Sequence, residues 1–125
     1  MKTKRRRAAP PNSVIFLEDV SGGELEDFDP MVEPRMGASP SMIWIGCLSF
    51  MDGTTEFVLG SAEEVTPDQE PIFDDVLETP SRAVAIRTSH LRTILGNKVP
   101  TSSIRVRIWT NDPSEPDRVI IGLGD

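Results

Sequence analysis

Residues Ser103–Thr110 read SIRVRIWT, and the strict two-residue alternation leaves little freedom for the fold. Ile104, Val106 and Ile108 share one parity, and Arg105, Arg107 and Trp109 the other. Successive side chains of a β-strand point to opposite faces, so an extended segment keeps the three β-branched residues together, whereas a helix scatters them. The run is followed by NDPSEP (111–116), rich in turn formers, and then by DRVIIGL (117–123), which reads as a returning strand. The chain is therefore expected to pack sheets against a shared apolar core.

Eleven prolines and nine glycines cut the rest of the chain into short runs. Residues 13–19, SVIFLED, form a plausible first strand, and 82–88, RAVAIRT, a second with Val84 and Ile86 inward and Arg87 outward. Residues 41–60 hold two apolar runs on either side of Asp52-Gly53. Asp-Gly supplies the positive φ angles of a type I′ turn, so this stretch predicts a hairpin. Pro71 can open a short helix over 72–78, or the same residues can form an irregular strand. One helical turn is expected at 89–95, started by Ser89 and stopped by Gly96-Asn97. Residues 24–40 form a long acidic connection punctuated by Pro and Gly. The expected fold class is mainly β: a single-domain antiparallel β-sandwich or small barrel of about six strands with one or two short helices. It spans residues 13–125 and follows a disordered basic arm, residues 1–12. A chain of 125 residues falls within the ordinary size of one domain.

The net charge of −7 hides three blocks of opposite sign. Residues 1–12 carry +5, residues 13–78 carry −15, and residues 79–125 carry +3. A concentrated negative surface steers basic partners and repels nucleic-acid phosphates, although acid also serves plain solubility. The acids in polar connections, Glu63, Glu64, Asp74, Asp75 and Glu78, are candidate contacts for a basic protein partner. Arg105, Arg107 and Trp109 form a second candidate surface, because Arg and Trp are enriched at interface hot spots. The bland alternative puts Trp109 under a loop and pairs the arginines with Glu56 or with acids of 61–78. Lys2, Lys4, Arg5, Arg6 and Arg7 offer a nucleic-acid contact. No aromatic residue interleaves them for base stacking, so a solvated arm is the preferred reading of that head.

The chain has one cysteine, Cys47, and one histidine, His90, which excludes an internal disulfide and imidazole-rich metal sites. Cys47 lies in an apolar run, where an inert buried thiol is expected. No GxxxxGK[ST], HExxH, GxSxG or CxxC motif occurs. The pairs Glu63-Glu64 and Asp74-Asp75 could serve carboxylate-dependent hydrolysis, but few aromatic residues are on hand to floor a sugar cleft. Glu24, Glu26, Asp27 and Asp29 lack the glycine and terminal glutamate of an EF-hand loop. No catalytic, cofactor-binding or metal-binding residue is therefore assigned. The basic start has only four apolar residues before Glu18, short of a secretory signal, and no apolar run suits a membrane span. A soluble cytoplasmic protein is expected.

The stretch IFDDVLETPS (72–81), with RAVAIRT, SIRVRIWTNDPSEP and DRVIIGL, resembles the C-terminal half of small bacterial proteins of the competence-protein-J type. That resemblance covers residues 72–123, in strand order and spacing. It implies a compact β-sandwich and inhibition of a partner nuclease, and it identifies no inhibitory residue. The leading reading is a non-enzymatic acidic binding module, an inhibitor or immunity-type protein for a basic partner such as a nuclease. A nucleic-acid-associated accessory protein is the alternative, and a small carboxylate-dependent hydrolase the third.

Overall fold

A computed structural model describes all 125 residues. The first sheet runs, in spatial order, β1 (Lys4–Ala8), β5 (Thr55–Ser61), β10 (Arg118–Leu123), β9 (Ser103–Thr110) and β6 (Phe73–Glu78). The second runs β3 (Met36–Ser39), β4 (Met42–Gly46), β2 (Val14–Asp19), β7 (Ala83–Thr88) and β8 (Thr93–Lys98). Helix is limited to a single α-turn, α1 (Ala62–Val65), and a 3-10 turn at Pro11–Ser13. The sheets stay open at their edges, so of the two expected architectures the chain adopts the sandwich, not the barrel. No helix is long and apolar enough to cross a membrane.

The alternation written in the strands builds the core. Ile104, Val106 and Ile108 of β9 face Ile15 and Leu17 of β2, Ile43 and Ile45 of β4, and Val84 and Ile86 of β7 within one cluster. Phe57, Leu59, Leu77, Val119 and Ile121 complete it from the first sheet. Each fully buried aliphatic side chain of this kind contributes about 1.5–3 kcal/mol of transfer free energy. Cys47 is buried in the same cluster. The β9–β10 pair is the antiparallel hairpin expected from its sequence, with Ile108 opposite Ile121.

Several expectations are corrected. Met42–Gly46 and Thr55–Ser61 do not form a hairpin: β4 pairs with β2 and β3, and β5 with β1 and β10. Both runs are interior strands with two neighbours each, so neither has a free edge for the other. The turn at Asp52-Gly53, where Gly53 has φ +140°, carries the chain from one sheet to the other instead. The β5–β10 pair is parallel, so the first sheet is mixed, not wholly antiparallel. Ten strands replace the expected six. The additions are short or polar segments whose strand character comes from their partners. Residues 73–78 are strand β6, since its partner β9 supplies the ladder. At 89–95 there is no helical turn. Thr88 Oγ1 accepts hydrogen bonds from the backbone N–H groups of His90 and Arg92, closing a tight β7–β8 turn.

The expected basic arm is in large part strand β1. Its residues pair antiparallel with β5, from Lys4 opposite Leu59 to Ala8 opposite Thr55. Alternate basic side chains reach the neighbouring sheet: Lys4 Nζ donates to the Gly96 carbonyl at 2.6 Å and Arg6 to that of Ile94 at 3.1 Å. The β8 edge offers carbonyls without a ladder partner, and long cations satisfy them.

Candidate interaction surface

The outer face of the first sheet gathers most of the residues singled out by the sequence. Arg105 and Arg107 alternate outward along β9, and β6 sets Asp74 opposite Arg107 and Val76 opposite Arg105. Arg105 Nε and Nη2 each donate to one oxygen of Asp74, at 2.8 and 2.7 Å, in a two-pronged fork. Its Nη1 lies 3.5 Å from an Asp125 carboxylate oxygen. Hydrogen bonding from Arg105 holds the Asp74 carboxyl below the usual range, against the opposing cost of desolvation and with the Arg105 and Arg107 charges adding to it. The Asp74 charge is thus committed within the molecule. Arg107 donates to the Gly124 carbonyl at 3.0 Å, while its Nε is buried with no partner.

Trp109 shares this face but is only 2 % exposed. It packs with Val58, Ile120 and Val65 in a small second core, and its indole N–H donates to the Gln69 carbonyl at 3.0 Å. The cover is α1 and the segment that follows it. What seats them is a pair of glycines, Gly60 and Gly122, opposite one another on β5 and β10. A Cβ on Gly122 would meet the Ala62 Cα and the Trp109 ring at 3.1 Å, and one on Gly60 would meet Thr3 Oγ1 at 2.6 Å. Trp109 is therefore unavailable as a contact, and alternation alone could not reveal that. The bare glycine pair is the signal that marks the seat.

The acids divide into used and unused. Glu56 pairs with Arg118 at 3.2 Å. On the second sheet, buried Glu18 pairs with Arg87 at 2.8 Å and also accepts from the Gly23 N–H. Glu63, Glu64, Asp75 and Glu78 are exposed and belong to no ion pair. Glu64 does accept a hydrogen bond from Thr3 at 2.6 Å. Asp75 lies on an edge strand, where its carboxylate caps the Val76 N–H at 2.7 Å. Glu78 gives its own N–H to the Pro40 carbonyl at 2.9 Å. These two contacts close much of the outer rim of β6 to further strand pairing. Between them Val76 is 54 % exposed. The free acids thus form two groups, Asp75 and Glu78 along β6 and Glu63 and Glu64 on α1.

Cys47 and His90 are not brought together. Cys47 is fully buried and its thiol is pushed up to about 11 by burial, with the Arg35 charge opposing. His90 is exposed on the β7–β8 turn. No three His, Cys, Asp or Glu side chains gather where they could hold a metal ion.

This two-sheet arrangement recurs in a known structure. ComJ from Bacillus subtilis, an inhibitor of the DNA-degrading activity of NucA, superposes with a TM-score of 0.65 over 99 % of this chain and 97 % of ComJ, at 14 % identity. The chain shares its fold with ComJ. The likeness read from residues 72–123 therefore extends, in structure, over the whole chain. The product of crocagin biosynthetic gene J also matches, with a TM-score of 0.52 over 99 % of this chain and 98 % of that one, at 13 % identity. No protein-family model and no curated protein sequence matches the chain.

Proposed function

We propose that the protein is a non-enzymatic inhibitor that binds a basic protein partner, a nuclease being the favoured class. The observation that carries this reading is the end-to-end fold likeness to ComJ, itself an inhibitor of a DNA-degrading protein. The surface assigned to the partner is the acidic rim of the first sheet. Asp75 and Glu78 on β6 supply its field, with Glu63 and Glu64 of α1 a second acidic group on the same sheet, because no cation of the chain neutralises them. Asp74 orders Arg105 rather than steering a partner, and exposed Val76 offers the apolar contact within the rim. Desolvated apolar contact holds a complex together, while unpaired charge raises its association rate.

The test is capture of a partner from the native host on the immobilised chain, then assay of the captured protein for DNA degradation with and without free inhibitor. Binding should weaken steeply with salt, since screening shortens the field to about 8–10 Å at 0.1–0.15 M. Asp75→Lys with Glu78→Lys should slow association by about tenfold or more, with little change in thermal midpoint. A captured nuclease whose association rate ignores both the reversals and the salt would refute the acidic rim. Uninhibited DNA degradation in the presence of bound chain would refute inhibition itself.

A further inference from the structure

A cleft of about 470 Å³ lies between the end of β1 and the β7–β8 turn. Its size is within the range of about 300–1,000 Å³ typical of small-molecule sites. Arg6, His90 and Arg92 line it together with Thr88 and Thr93, and no carboxylate does. The neighbouring cleft lined by Lys4, Arg87 and Lys98 likewise has no carboxylate, but its Lys4 is engaged by the Gly96 carbonyl and its Arg87 by Glu18. None of the molecule's ion pairs uses Arg6 or Arg92. Arg6 is fixed by the one hydrogen bond from Nη1 to the Ile94 carbonyl, which leaves the rest of its fork to meet a ligand.

The rims are held in place. Thr88 Oγ1 clamps the turn through His90 and Arg92 N–H, and the Thr88 N–H donates to the Arg92 carbonyl at 2.9 Å. Asn12 Nδ2 donates to Ser89 Oγ at 2.8 Å, tying the segment after β1 to that turn. Three of the four non-glycine residues with left-handed backbone, Asn12 (φ 62°), Ser13 (φ 56°) and Leu91 (φ 63°), flank the lining residues. Such conformations cost about 1–3 kcal/mol each and concentrate at ligand sites, where the surrounding structure must hold them.

We propose that this cleft binds the phosphate monoester of a small organic molecule. Guanidinium forks match the geometry of phosphate oxygens, and two forks with an imidazole complement a dianion better than a single carboxylate. No Phe, Tyr or Trp side chain lines the cleft, and the imidazole of His90 is assigned to the phosphoryl oxygens, so the phosphoryl group is the recognised part. The wall formed by Ala8 and Pro10 takes the organic body. This site stands independently of the inhibitor reading.

The test is titration of the ¹⁵N-labelled full chain with ribose 5-phosphate, with inorganic phosphate, and with ribose in sodium chloride of matched ionic strength. Saturable amide shifts should be confined to residues 8–12 and 88–94 with the ester, weaker with inorganic phosphate, and absent with ribose. Arg92→Ala should weaken ester binding by about tenfold or more, as loss of a charge-assisted contact does, and Arg92→Glu should abolish it. The Arg92 side chain makes no hydrogen bond within the protein, so neither variant is expected to unfold it. Inorganic phosphate binding as tightly as the ester would overturn the ester assignment. Shifts spread equally over Lys98, Arg105 and Arg118, or affinity unchanged in Arg92→Ala, would overturn the site.

Discussion

Asp19 offers a quantitative check on how the sandwich is closed at one end. It terminates β2 and is 1 % exposed. One carboxylate oxygen accepts from the Ser21 N–H at 2.9 Å and from its hydroxyl at 2.6 Å, and the other from the Ser81 N–H at 2.9 Å. Burial alone would raise its pKa, but these donors outweigh that effect and bring it down from 3.8 to about 2. The unfolded chain therefore takes up this proton at higher pH than the folded one. The stabilisation is complete above about pH 5 and drains away as the pH falls through 4 towards 2. The depression corresponds to about 2 kcal/mol, a large share of the roughly 5–15 kcal/mol by which small domains are stable. Asp19→Asn keeps the shape but removes the charge, and it turns an NH2 group towards a donor. Urea unfolding followed by tryptophan fluorescence should find the variant about 2 kcal/mol less stable at pH 7. About half of that gap should be gone at pH 3, because the wild type alone loses stability there. A gap that stays constant from pH 7 to pH 3, or none at pH 7, would refute the account.

Two further outcomes follow from the first sheet. Trp109→Ala should cost about 3–5 kcal/mol in urea unfolding, since it empties the small core over Gly122 and leaves the Gln69 carbonyl without its donor; a variant as stable as wild type would put the ring in solvent. Deleting residues 1–8 should lower the calorimetric midpoint by several degrees and raise light scattering, because β5 loses its partner and becomes an exposed edge. An unchanged midpoint would return this segment to the role of a loose arm.

The strands that could be read from the chain are those whose evidence is local. In β2, β7, β9 and β10, aliphatic residues recur at a period of two, and burial on one face needs nothing else. The inert environment of Cys47 is equally local, since an apolar run surrounds it. Tertiary structure decided the rest. KRRRA has no apolar face at all, and it becomes β1 only because β5 lacks a neighbour on that side and the β8 carbonyls accept Lys4 and Arg6. Asp52-Gly53 encodes a reversal of the chain, but not which strand lies alongside afterwards. At the candidate surface, the alternation puts Arg105, Arg107 and Trp109 on one face. The cover over Trp109 depends on Gly60 and Gly122, which stand about sixty residues apart and meet only across the β5–β10 pair. Likewise Arg6 lies far along the chain from His90 and Arg92, and closure of the sandwich edge brings them to one cleft. Period and burial are properties of a segment, whereas pairing, cover and convergence of charge depend on which edges and carbonyls the rest of the fold leaves unsatisfied.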